Sequence, residues 1–211
     1  MRRRELAGIL LFVGITQFAL LTNIAETQYP GFSIRNTLLS DLGVWGKPSA
    51  LIFNASLVIF GVLGLAIGFV LKGDRKLTFI PLLFGLSGLG MLIMGVFPIS
   101  VEWVHDVGAF LAFVLIALAA LCCYWTFPGA FRFVSLTLGA IAFITMTLYK
   151  GGVYVGLGAA GMERMIVYPL FLWMAAFGTA LFLSDENYRG DSLLHRFFNC
   201  CVRRICVPQS S

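Results

Sequence analysis

Six apolar runs, each closed by a charged, proline or glycine break, govern what this chain can fold into. They cover residues 6–25, 48–71, 77–97, 103–127, 133–149 and 165–183. A helix rises 1.5 Å per residue, so roughly 18–24 residues cross a hydrocarbon core about 30 Å thick. The fifth run is the shortest. A soluble domain of this size has no way to cover six such runs, because only 12% of its 211 residues are charged, about half the usual share. With 59% hydrophobic residues and a mean hydropathy of +0.92, a bilayer is the fitting solvent. The expectation is an all-α, polytopic transmembrane bundle of six helices.

The breaks are chemically distinct. KGDRK at 72–76 holds four charges in five residues, and FPIS at 97–100 places Pro98 where a helix cannot continue. FPGAFR at 127–132 combines proline, glycine and arginine. KGGVYVGLGAAGMER at 150–164 reads as a loop or a broken helix. The basic start MRRRE followed by an apolar run has the look of a signal peptide. The run is too long for one, and five more follow, so it is expected to remain as the first helix. With the N-terminus cytoplasmic, 11 Lys and Arg fall inside and 4 outside, which favours both termini cytoplasmic in a cell-membrane protein. Residues 1–186 then form the transmembrane domain and 187–211 a basic cytoplasmic tail. Gly64 with Gly68 and Gly152 with Gly156 have the spacing that lets helices approach closely.

In that topology Glu26, Asp41, Glu102, Asp106, Glu163, His105, Arg35 and Arg164 all fall at the outer end. Any site is therefore expected in an outward-facing pocket. Ser40-Asp41-Leu42-Gly43 has two readings. It is a capped, ordered loop with Gly43 allowing a positive-φ turn, or a loop that Leu38, Leu39, Leu42, Val44 and Trp45 dip into the membrane face, so that Asp41 lines a cavity. Glu102 suits the first turn of a helix, whereas a charged His105 there opposes the helix dipole, which makes His105 a candidate site residue. Arg164 is either an interfacial anchor or a partner of Asp41 or a lipid phosphate. Pro169 starts the last helix or kinks it. Asn54, inside the second run, is packing glue or a site residue.

NTLLSDLG at 36–43, IFN at 52–54, GVFP at 95–98 followed by His105, and GMER at 161–164 before YPLFLW stand in this order relative to the six runs. Together they resemble a family of prokaryotic six-span membrane proteins, domain of unknown function 998, over roughly residues 5–185. The resemblance implies the six-helix topology and directs attention to Ser40, Asp41, Asn54, His105, Glu163 and Arg164. It implies no activity. The tail from Asn187 lies outside it.

Several chemistries lose support. A catalytic zinc site usually takes three protein ligands, most often with several histidines, and His105 and His195 are expected on opposite sides of the membrane. No nucleophile elbow, P-loop or dinucleotide fingerprint occurs. Cys122 and Cys123 lie in the fourth run, and Cys200, Cys201 and Cys206 lie in a tail expected on the reducing side. No metal, cofactor or nucleic-acid partner is expected. In the tail, Leu194, Phe197, Phe198, Cys201 and Ile205 recur at helical spacing among arginines, as in a helix lying on an anionic leaflet. Three function classes remain. The favoured one binds a lipid or small amphiphile, and its enzymatic version uses His105 as acid–base oriented by Asp41. A proton-coupled transporter or channel would titrate the same pair. A structural subunit would use the polar residues only to brace loops.

Overall fold

The six apolar runs become six helices in the computed structural model, which describes residues 2–186. They are α1 (Arg3–Gln28), α2 (Ala50–Leu71), α3 (Ile80–Val96), α4 (Glu102–Thr126), α5 (Phe131–Lys150) and α6 (Gly158–Glu186). No strand occurs among the described residues. The all-α bundle is thus the observed fold. Five helices are long and apolar enough to cross a bilayer, and the chain is a multi-pass integral membrane protein. His195, the three tail cysteines and the amphipathic tail pattern lie outside the described residues.

Helix α3, not the fifth run, is the shortest, at 17 residues. That gives about 26 Å of rise, a few ångströms short of the hydrocarbon core. The cause lies at its start: Thr78 takes a φ of 43°, which no helix tolerates, so regular structure begins at Ile80 with Pro81 in the first turn. The opposite departure occurs in α6, which begins at Gly158 and so contains Glu163 and Arg164 in its second turn, with Pro169 well inside.

Close backbone approach joins α2 to α3. A Cβ on Gly88 would lie 2.6 Å from the Leu65 nitrogen and 2.7 Å from the Gly61 oxygen. Gly64 and Gly68 face the same partner, so their spacing serves packing within one chain. Gly152 and Gly156 instead lie in the loop before α6. Helix α4 is interrupted by a π turn, Phe110–Val114. In it, Ala112 packs against Gly90 of α3, and the Ser87 hydroxyl donates to the Ala112 carbonyl at 2.7 Å. A side chain on the neighbouring helix thereby occupies a carbonyl in the loosened ladder.

The deep core is aromatic. Trp173 and Phe177 of α6 stack on Phe84 of α3, with centroids 5.9 and 5.5 Å away, and the Trp173 indole N–H donates to Ser135 Oγ of α5 at 3.1 Å. At one end of the bundle Arg4 pairs with Asp74 at 2.7 Å. Burial pushes the Asp74 carboxyl up, but hydrogen bonds from Arg4 and the Lys76 N–H outweigh it and hold the group below its ordinary value. The other end carries the connections 29–49, 97–101 and 151–157, and the candidate site lies there.

Candidate functional site

The segment 29–49 has a backbone that must find partners once its apolar side chains go inside. Leu39 and Leu42 are buried in the bundle, while Trp45 stays exposed. The segment thus turns two leucines into the bundle, and it carries a short 3-10 turn at Ser40–Gly43. Burial leaves consecutive backbone N–H groups at its start without water. Asp41 Oδ2 accepts from Leu38 N–H at 2.9 Å. The Glu163 carboxylate accepts from Leu39 N–H through Oε2 and from Ser40 N–H at 3.2 Å through Oε1. A carboxylate at the N-terminus of a helical turn is also favoured by the turn's dipole.

Arg164, next to Glu163, holds the same loop from another angle. It is only 5% exposed. Its Nη1 donates to the Thr37 carbonyl at 3.0 Å and to the Ala160 carbonyl at 3.1 Å, and Nη2 stands 3.7 Å from Glu26 Oε1. The dipeptide Glu163-Arg164 therefore clamps segment 29–49 onto α6, the glutamate holding N–H groups and the arginine a carbonyl. Two further side chains fasten the far end of the segment. Ser49 Oγ donates to the Leu42 carbonyl at 2.8 Å, and the Asn54 amide donates to the Gly43 carbonyl at 2.9 Å. Gly43 is needed for that approach, since a Cβ there would lie 2.3 Å from Asn54 Oδ1. It does not adopt the positive φ that its place in the motif suggested.

Beneath the clamped segment lies a cavity of about 80 Å³. Phe18, Phe53, Met91, Met94 and Phe171 form apolar walls, and Ser40, His105, Asp106, Tyr149, Lys150 and Glu163 bring polar atoms to it. His105 is 7% exposed, and its Nδ1 lies 3.1 Å from the Phe97 carbonyl oxygen. A carbonyl only accepts, so Nδ1 carries the proton, and in the neutral form of the ring Nε2 keeps its lone pair. Lys150 Nζ meets Asp106 Oδ1 at 2.8 Å, and this pair is solvent-accessible.

The sequence-derived set thus divides. Ser40, His105 and Glu163 line the cavity. Asp41 bonds within its own loop, Arg164 bonds Thr37, Ala160 and Glu26, and Asn54 borders a separate surface groove beside Trp45. Asp41 is therefore not the group that orients His105; the Phe97 carbonyl does that. Nor does Arg164 pair with Asp41, since its guanidinium meets Thr37, Ala160 and Glu26 instead. Tyr149 and Lys150 are absent from the sequence-derived set, and no spacing rule joins Lys150 to Asp106, its partner 44 residues away. Among the described residues no group of three or more His, Cys, Asp or Glu is arranged to hold a metal ion.

The family model described as "Protein of unknown function (DUF998)" matches residues 12–180. The chain belongs to the DUF998 family. The DUF998 match takes in every residue that lines the cavity, from Phe18 to Phe171, together with the whole loop clamp. No curated protein and no solved structure matches the chain.

Proposed function

We propose that this membrane protein binds a small amphiphile at the outer end of its bundle, in the cavity beneath segment 29–49. The observation that carries this reading is the mixed lining of the cavity: Phe18, Phe53, Met91, Met94 and Phe171 make it largely apolar, and Ser40, His105, Tyr149 and Glu163 add hydrogen-bonding groups. Pockets of this kind place an apolar body in the interior and fix its orientation with a few polar groups. The neutral His105 ring offers a lone pair at Nε2, and Glu163 already spends its oxygens on the loop. A head group that donates a hydrogen bond, such as a hydroxyl, fits best. At about 80 Å³ the space accepts a small head or a short stretch of chain, not a whole lipid.

The test uses the full chain in detergent and a long-chain alcohol carrying a fluorophore at its far end. Met94→Trp fills the cavity and is expected to weaken binding about tenfold or more, in line with the ~1–3 kcal/mol that overfilling a packed site costs. His105→Phe keeps the ring shape, removes the acceptor and is expected to weaken alcohols more than the matching alkanes. Equal binding by the wild type and both variants would sink the proposal.

A further inference from the structure

On the outer surface of α4 and α5 lies a groove of about 530 Å³. Phe110 and Val114 of α4 and Phe143 of α5 form its apolar floor, and Asp106, Met146 and Lys150 close its upper end. Those last three residues also line the internal cavity. Groove and cavity are therefore two sides of one thin wall, made of one methionine side chain and one exposed ion pair. The π turn sits in the same wall. Phe110 and Val114 of that turn face the groove, and Phe113 faces the cavity.

We infer that the groove is a lipid-chain site and that the wall is a lateral portal, through which a chain dissolved in the bilayer passes between α4 and α5 into the cavity. The inference rests on the amphiphile-binding reading of the cavity and adds the ligand's source and route. A groove on the side of a membrane-spanning bundle meets acyl chains, and from Asp106 to Val114 it runs about 12 Å along α4, some two turns of apolar wall. The Asp106–Lys150 pair marks where the chain must end and a head group begin, since charges this exposed on the side of a bundle are costly against hydrocarbon and belong near the headgroup level. Methionine suits a gate because its unbranched thioether side chain changes shape at little cost. A second groove of about 540 Å³, beside Trp45, Leu51 and Asn54, shares no lining residue with the cavity. It supplies an internal control.

The full chain is reconstituted in phosphatidylcholine vesicles containing a trace of a long-chain alcohol with a photoactivatable diazirine within a few carbons of its hydroxyl. The probe is either dissolved in the lipid before reconstitution or, in a short-chain, water-soluble form, added from outside. Labelled peptides are mapped by mass spectrometry. The lipid-dissolved probe is expected to label Phe143 in the groove, Met91 and Met94 in the cavity, and Leu51 in the control groove. Met146→Trp is expected to abolish cavity labelling by that probe while leaving Phe143 and Leu51 labelled. Thr147→Trp, which narrows the groove from its exposed face and leaves the cavity wall intact, repeats the test should the first variant not fold. Cavity labelling by the lipid-dissolved probe that survives both substitutions overturns the portal. Cavity labelling only by the water-soluble form overturns the portal and leaves amphiphile binding standing. Absence of cavity labelling by either form overturns both.

Discussion

Replacing Glu163 tests the clamp on which the cavity roof depends. In Glu163→Ala, the N–H groups of Leu39 and Ser40 lose their acceptors while Leu39 and Leu42 still hold the segment in the bundle. A buried donor left without a partner costs about 1–3 kcal/mol. At a factor of ten per 1.4 kcal/mol, amide exchange at Leu39 and Ser40 should speed up about 5- to 150-fold through local opening. Glu163→Gln separates charge from geometry. Its amide oxygen accepts one of the two N–H groups and its NH2 accepts none, so one amide should stay protected and the other should exchange fast. Hydrogen exchange with fragmentation to single residues, on protein in lipid nanodiscs, reads both. Backbone amides in the middle of α2, such as those around Ser56, report whether the whole bundle has loosened and should not change. Wild-type exchange at Leu39 and Ser40 in Glu163→Ala would refute the clamp.

Three other perturbations probe the frame. Gly88→Ala puts a methyl group against three backbone atoms of α2 and should destabilise by about 1–3 kcal/mol; Gly85→Ala, with nothing within 4 Å, should not, and denaturant unfolding in detergent distinguishes them. Trp173→Phe strands the buried Ser135 hydroxyl and should cost about 1–3 kcal/mol beyond any packing change, part of which Ser135→Ala in the same chain should restore; a double-mutant cycle with no coupling contradicts that bond. Asp74 has a depressed pKa in the folded protein, so its contribution is present above the unfolded aspartate value of about 3.9 and is lost as pH falls through the folded value. The stability gap between wild type and Asp74→Asn should therefore be flat near neutrality and close under acid, whereas a gap that widens with acid reverses the sign of the argument.

The helices were legible because each break carries a strong local signal, such as the four charges of 72–76 or Pro98. What eluded sequence reasoning was decided by distant partners. Glu163 and Arg164 look like charges at a membrane boundary, and placing the start of the last helix after them follows from that. They lie inside α6, because the loop backbone offers them the partners that water would otherwise supply. Asp41 suggests a site by being acidic among leucines, yet its carboxylate serves a neighbour three residues back. The π turn at FLAFV leaves no mark in so uniformly apolar a stretch. His105 stands out as a histidine where the helix dipole disfavours charge, and it does line the cavity; Lys150, an ordinary helix-ending lysine, gave no comparable signal.

The clamp also sets an order of events during synthesis. Leu39 and Ser40 wait for a carboxylate that lies 124 and 123 residues further along the chain. At about 5–20 residues per second, the ribosome delivers it roughly 6–25 s after the segment itself has emerged. For that interval the first connection has neither its acceptors nor its arginine, and the roof of the cavity closes only when the last helix has entered the membrane. Truncation between α5 and α6 therefore leaves five helices with an open mouth, and the entry of α6 is the step that closes the cavity roof.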